Sequence, residues 1–428
     1  MKISVERYHY PIGQGTFSAQ IIKGLGGSKY VCVYDCGSDS GVNRIPTCVN
    51  NLYEKLNPNR KDKAKIDLLV ISHLDRDHVN GVSKLIELFD VKKIVIPYMS
   101  KIEKIMLALD SPSGSSMLHG QDYLSPRSSL ISAIIRSGDE NRHFLEELGD
   151  VEIVESSRDI STEYFDMNKD TSKVKYWPYK LWEFLHFSLY AGEEESVKDR
   201  FVEEFKNSYR LEFRRNCKDL NKMTASDLSN DWIKLKEVYI KTCKRMEEVH
   251  GVNCKDIFNS SSVILYSGPA DNLTGSGENY CHVHRVSKGR QIIVDYKNLD
   301  EHYRESFYYR IENDNSKYIG GWLGTGDARL ADCLNIDELR VNLGQERINR
   351  IRVLTVPHHG STNNSNEKFY SIFSRSRVEC VVHSDPGYTF HHPHTEIEEL
   401  IAKKGLVEVP VTKEPESCYK ERLLYRYW

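Results

Sequence analysis

The chain has 428 residues, 28% charged and 39% hydrophobic, with a formal net charge of −3 and 25 tyrosines. That length buries a large core, as one elaborated domain or as two to three smaller ones, and the composition excludes wholesale disorder. The charge balance excludes a globally basic nucleic-acid binder, so any contact with a polyanion must come from a local patch. No apolar run approaches the roughly 18–20 residues of a membrane span. The opening MKISVERYHYPIGQG lacks an apolar signal core. A cytoplasmic protein without membrane contact is therefore expected. The ten cysteines are scattered and no two form a Cys-x-x-Cys pair, so reduced core thiols are expected rather than a disulfide scaffold.

In chain order, residues 1–100 alternate apolar runs with turns. QIIKGLGGSKYVCVYDCG reads as strand, Gly-rich turn and strand. IDLLVISH reads as a buried parallel strand, GVSKLIELF as a helix and VKKIVIPYM as a further strand. Strand, helix and strand with short joins imply an α/β layer fold with a covered sheet. Residues 101–255 are expected to be a mainly helical insertion, through SSLISAIIRSGDENRHFLEEL, ESVKDRFVEEFKNSYRLEFRRN and SDLSNDWIKLKEVYIKTCKRMEEVHG. SPSGSS at 111–116 is a joint, and YWPYKLWEFLHFSLY at 176–190 an aromatic cluster broken by Pro178. Acidic and basic side chains balance over 191–250, which suits a solvated face, a helix-pair interface or a docking surface for a protein partner. Residues 256–428 return to strands in SSVILYSG, RQIIVDY, KYIGGWLGTGD, RIRVLTVPHHG and VECVVHSD, with a helix at TEIEELIAKKG stopped by Gly405.

The densest chemical signal is SHLDRDHVNG at 72–81, which offers His73, Asp75, Asp77 and His78 on a strand-to-helix turn. In open α/β sheets ligands bind at the carboxyl ends of strands. Imidazole and carboxylate without thiolate suit zinc, manganese or iron. Three later stretches repeat the context of an apolar strand followed by His or Asp. They are GWLGTGDAR with Asp327, VLTVPHHGST with His358, His359, Ser361 and Thr362, and HSDPGYTFHHPHTEI with His391, His392 and His394.

Taken together, GQG at 13–15, DCG at 35–37, SHLDRDH, NSSSVILYSG, TGD, PHHGS and HPH resemble the metallo-β-lactamase superfamily. The motifs are most similar to the soluble metallo-hydrolase domain of the ComEC DNA-uptake family, over about the first 100 and last 170 residues. The resemblance implies an αββα sandwich, its halves being 1–100 and 256–428, interrupted by the insertion at 101–255. It implies two divalent ions, Mn²⁺ or Zn²⁺, held by His73, Asp75, Asp77, His78, Asp327 and His358, with Asp327 bridging and Asp35 orienting the ligand loop. Asp75 stands where the superfamily's second histidine is commonest, which hardens the site toward manganese. The superfamily's middle histidine has no clear match. Asn259 and Ser260 lie near its place, and His282, His284 and His302 suit it poorly. Cys36 is expected to pack.

Two divalent ions ionise a shared water, which is the help a phosphodiester needs. Asp77 is expected to orient the hydroxide, His394, His392 and His359 to protonate the leaving oxygen or hold the phosphate, and Ser361 and Thr362 to donate to phosphate oxygens. The expectation is a metal-dependent phosphodiesterase, foremost a DNA nuclease, acting as an effector against foreign DNA. A hydrolase of a small substrate such as a cyclic nucleotide or ester, and a degenerate scaffold that binds a partner protein, are the rival readings.

Overall fold

The computed structural model describes residues 2–24, 27–59, 62–110, 151–157, 159–166, 180–189, 193–223, 225–251, 262–270, 284–287, 290–293, 320–373 and 378–426. The expected helix over 128–148, the 111–116 joint, Asn259, Ser260, His282 and His302 lie outside the described residues.

The first part of the chain supplies β1 (Lys2–His9), β2 (Gly15–Lys23), β3 (Lys29–Ser38), α1 (Ile45–Leu56), β4 (Ala64–Ile66) and β5 (Leu68–Val70). It continues with α2 (Arg76–Val79), α3 (Val82–Leu88), β6 (Phe89–Val91), β7 (Lys93–Pro97) and α4 (Lys101–Asp110). The middle supplies β8 (Glu152–Ser156), β9 (Ser161–Asp166), β10 (Lys180–Ser188), α5 (Glu193–Phe213) and α6 (Ala225–His250). The last part supplies β11 (Val263–Pro269), β12 (His284–Ser287), β13 (Arg290–Ile293), β14 (Gly321–Gly324) and α7 (Cys333–Arg350, interrupted at Gly344). It ends with β15 (Ile351–Thr355), α8 (Glu367–Ser371), β16 (Glu379–His383), α9 (Thr395–Lys403), β17 (Val407–Val411) and β18 (Tyr419–Arg426).

One sheet runs β13-β12-β18-β1-β2-β3-β5-β7-β8 and the other β17-β16-β15-β14-β11-β10-β9, with β4 and β6 a separate pair. Three buried clusters define four layers. Val5, Tyr34, Val70, Val95, Trp182, Leu265, Trp322, Val353 and Val381 fill the space between the sheets. Val33, Leu69 and Ile94, which point the other way from the first sheet, meet α1, α3 and the α4–α6 helices. Leu354, Cys380 and Val382 of the second sheet meet Ile336, Leu339, Phe369 and Ile397 of α7, α8 and α9. The unbroken apolar run of β5 follows from this: Leu68 and Val70 serve one core, Leu69 and Ile71 the other. The expected αββα sandwich is the architecture observed.

The segment expected as mainly helical also contributes to both sheets. β8 pairs in parallel with β7, and β10 pairs antiparallel with β9 and β11. The aromatic cluster at 176–190 is thus largely a strand. Trp182 and Phe184 face the intersheet core, while Leu185 and Phe187 face the outer one. A strand covered on both sides shows no alternation, and a short apolar run cannot be told from a buried helix by periodicity. The α5–α6 hairpin docks on α4: Tyr239 Oη donates to Asp110 Oδ1 at 3.1 Å, and Lys198 pairs with Glu103. The eight described cysteines are free thiols, as expected, and Cys36 is fully buried in the cluster between the first sheet and its helices.

Candidate metal centre

The site is assembled where strands end. Near the end of β3, Asp35 takes a left-handed backbone (φ 56°) that turns its carboxylate inward. Its Oδ1 accepts from Ser72 N at 2.6 Å and its Oδ2 from Ser72 Oγ at 2.7 Å, which pins the loop after β5. Gly37 is required two residues on, because a Cβ there would lie 2.6 Å from the backbone of His78 and Val79. The second half of the chain is tied to the same loop. Val263 N donates to Ser72 O at 2.8 Å, and Asp327 N donates to Ser262 Oγ at 3.1 Å. Gly326 (φ 52°) passes so near Ser72 that a Cβ would sit 2.5 Å from that residue's own Cβ. His358 N donates to Gly326 O at 3.0 Å, and Asn364 Nδ2 to Asp327 O at 2.7 Å.

These ties converge on the Asp327 carboxylate. Its Oδ2 lies 3.4 Å from His73 Nε2 and 3.4 Å from His358 Nε2. Its Oδ1 lies 3.3 Å from His78 Nε2. Asp77 Oδ2 is 3.8 Å from His78 Nε2 and 3.1 Å from His359 Nε2. The ligand atoms of His73, Asp77 and His78 fall within 4.8 Å of one another, and so do those of His78, Asp327 and His359.

The other ring nitrogen of each histidine is already engaged. His78 Nδ1 faces Asp35 Oδ2 at 2.8 Å, and His73 Nδ1 lies 3.1 Å from Ser72 Oγ. His358 Nδ1 donates to Asn364 Oδ1 at 2.7 Å, and His359 Nδ1 to the carbonyl of His383 at 2.8 Å. Fixing Nδ1 in this way aims Nε2 inward, as metal-binding imidazoles require. His73 Nε2, His78 Nε2 and Asp327 Oδ1 are buried without a hydrogen-bond partner. Orphaned buried polar atoms are costly. A divalent cation bound by nitrogen and carboxylate oxygen would satisfy all three, so the residues fit such an ion.

The electrostatics agree. Burial opposes the charge on His78, but Asp327, Asp77 and Asp35 outweigh it and hold the imidazole well above its usual pKa. Burial would raise Asp327, yet His358, His73 and His78 hold its carboxyl well below the carboxylate range. Burial and the neighbouring His78 charge bring His73 down to about 4. The buried carboxylates thus set a negative field at the imidazoles, which favours a cation there.

The structure sorts the expected residues. His73, Asp77, His78 and Asp327 come together, with Asp35 behind His78. Asp75 belongs to neither ligand group among the described residues: it stands at the extended N-cap of α2 (ψ 154°), half-buried. His359, expected to act on the leaving oxygen, lies inside the second group with its Nε2 on Asp77, while His358 faces Asp327 Oδ2. The His392 ring stacks over His359 at 6.3 Å, and burial, His359 and His358 bring its pKa down to about 3. His394 Nδ1 accepts from Thr362 N at 3.1 Å and lies 3.0 Å from Thr362 Oγ1. Ser361 is buried, and its Oγ accepts from Asn363 N at 3.3 Å within its own turn. Sequence reasoning missed Asn364, Ser262 and Gln14, whose Nε2 lies 3.3 Å from His392 Nδ1. Only the neighbouring motifs mark their places, since an isolated amide or hydroxyl carries no spacing signal.

Residues 21–100 match the metallo-beta-lactamase superfamily model. The two large sheets flanked by helices are consistent with that fold, whose members are generally hydrolytic metalloenzymes that bind divalent metals. Among solved structures, the chain is similar to a long-form RNase Z from yeast, at 9% identity and a TM-score of 0.33, covering 89% of this chain and 37% of that one. It thus spans well under half of that relative's length. It is also similar to a metallo-beta-lactamase from Cronobacter sakazakii carrying motif substitutions, at 11% identity and a TM-score of 0.20, covering 56% of this chain and 95% of that one. No curated protein matches the sequence. No described helix is long and apolar enough to cross a membrane.

Proposed function

We propose that the protein is a metal-dependent phosphodiesterase that cuts nucleic acid, with DNA as its first substrate. The observation that carries this reading is the convergence of buried, unpartnered His73 Nε2, His78 Nε2 and Asp327 Oδ1 at the ends of strands from both halves of the chain. The motif set SHxDxDH, TGD and HHGS, which resembles the ComEC metallo-hydrolase domain, supports DNA over other phosphodiesters.

His73 and His358, facing Asp327 Oδ2, would hold one divalent ion, and Asp77, His78 and His359 a second beside Oδ1. Such ions supply a water ionised near neutral pH and offset the charge of the phosphate. Asp77 Oδ2 orients the attacking water by accepting its hydrogen bond. Gln14 Nε2 donates to His392 Nδ1, which leaves His392 Nε2–H to donate to a phosphate oxygen. His394, half-buried at the rim with Nδ1 taken by Thr362, presents Nε2 to carry a proton to the leaving oxygen. With Asp75 outside the ligand groups, four imidazoles to two carboxylates favour zinc over the manganese that an Asp75 ligand would favour. Residues 101–255 remain the surface for a protein partner that restrains the enzyme in a cytoplasmic, defensive role.

The test is cleavage of single- and double-stranded DNA, RNA and cyclic nucleotides, side by side, by purified protein in Mn²⁺, Zn²⁺ or EDTA. Metal-dependent cutting of linear DNA is expected. Intact DNA with two metals bound per chain would overturn the reading, and turnover of cyclic nucleotides alone would replace it with the small-substrate one.

A further inference from the structure

A ladder of rings leads from the metal centre to solvent. His359 stacks on His392 at 6.3 Å and 24°, and His392 on Phe390 at 5.8 Å and 22°. Tyr388 meets the edge of Phe390 at 5.6 Å and 64°. Among the described residues Phe390 is the one phenylalanine among the exposed large apolar side chains, at 59% exposure. Its ring is held in place rather than trailing. Tyr388 N donates to Asp385 O at 2.8 Å, His391 N donates to Tyr388 O at 3.0 Å, and Lys413 clamps Asp385 at 3.0 Å. His391, in the left-handed region at φ 51°, turns the chain between Phe390 and the buried His392. Arg76, beside Asp77 in the chain, presents a guanidinium that is 65% exposed, 3.6 Å from Asp39.

An exposed phenylalanine loses hydrophobic stabilisation unless something covers it. Here the ring is backed by an imidazole that stacks in turn on His359, while 59% of the residue remains exposed. A flat apolar ring parallel to such a ladder suits a nucleobase, whose stacking on an aromatic side chain is tolerant of sequence. In a duplex both faces of a base are covered by its neighbours, so only an unpaired base can lie there.

Resting on the phosphodiesterase reading, we propose that Phe390, edged by Tyr388, is the stacking platform for the nucleotide beside the scissile phosphate. The preferred substrate is then a strand with an unpaired base at that position. Phe390 is a specificity residue, and the exposed Arg76 next to Asp77 a phosphate contact.

The experiment compares wild type, Phe390→Ala and Phe390→Trp by two readouts. The first is fluorescence of single-stranded DNA carrying 2-aminopurine, bound in Ca²⁺. The second is steady-state cleavage in Mn²⁺ or Zn²⁺ of single-stranded, duplex and abasic oligonucleotides. Wild type and the Trp variant quench the probe and the Ala variant does not. KM on single strands rises about tenfold in the Ala variant while kcat changes little, in line with the loss of one stacked base. An abasic residue beside the cut raises the wild-type KM by a similar factor, and the two losses do not compound. Equal quenching and equal KM in wild type and Phe390→Ala would overturn the inference, as would duplex cut as readily as single strand. A wild type that binds metal and quenches the probe through Phe390 yet leaves all DNA intact would sink the phosphodiesterase reading and leave the platform standing.

Discussion

His78 Nδ1 lies 2.8 Å from Asp35 Oδ2, across 43 residues of chain, and both side chains are fully buried. The same carboxylate accepts from the backbone and hydroxyl of Ser72. One acidic group therefore sets the tautomer of an imidazole and the path of the loop that carries it. An amide in its place cannot accept from all three donors. Asp35→Asn is expected to weaken metal binding about 10–100-fold, the usual cost of losing such a supporting partner. Chelator competition measures this, and unchanged affinity would reduce Asp35 to a packing residue.

The two oxygens of Asp327 face different histidines: Oδ2 toward His73 and His358, Oδ1 toward His78. His359 Nε2 instead stands 3.1 Å from Asp77 Oδ2 and groups with His78 and Asp327. Wild type is expected to bind two metals per chain, and His358→Ala and His359→Ala about one each, with different ions lost. Elemental analysis after dialysis reads the stoichiometry, and a cobalt-loaded spectrum tells the two variants apart. Two metals retained in either variant would remove that histidine from the ligand set.

Gly37→Ala should harm the site without touching a ligand. The added methyl would press at 2.6 Å on the backbone of His78 and Val79, where nothing flexible can yield. The expected cost is about 1–3 kcal/mol of stability and a loss of metal affinity larger than that of a surface glycine change. Gly387→Ala, at an exposed position of ordinary φ where the nearest atom would be an unstrained 3.5 Å away, is the control. Denaturant unfolding and metal titration of both variants give the comparison.

Acid sensitivity should arise away from the site as well. Burial would raise the pKa of Glu6, but Lys23, Lys55 and Tyr8 bind its carboxylate and bring it down to about 2. Lys23 and Lys55 stand at 2.8 and 2.9 Å. Since the folded pKa is below the unfolded one, this stabilisation is present above about pH 4.5 and fades as pH falls toward 2. With both lysines partly in solvent, its size is about 1–2 kcal/mol. Urea unfolding of wild type and Glu6→Gln at pH 6 and pH 3 should show the gap between them closing in acid. Parallel curves at both pH values would contradict the assignment.

Much of this was legible in the residues themselves. IDLLVISH announces a strand covered on both faces, and the His-Asp runs after apolar strands announce a ligand-binding rim. DCG and TGD are spelled with glycine because the backbone of His78 and Val79 passes against Gly37, and the Ser72 side chain against the left-handed Gly326. The middle segment was less legible: β10 is apolar on both sides and reads as a cluster, and β8 and β9 join sheets whose other strands lie far away in sequence.

The amino-acid order alone determined the layered α/β fold, the loops that bear the histidines and carboxylates, and the nitrogen and oxygen donors they offer, because these depend on patterns within a few neighbouring residues. Only the tertiary structure decided that Asp75 stands aside, that His358 and His359 face different oxygens, and that Asn364 and His383 steer their rings. A side chain's direction follows its backbone dihedrals, and the left-handed turns at His358 (φ 45°) and His359 (φ 56°) are held by Gly326, Asn364 and the end of β16, contacts that no local pattern encodes.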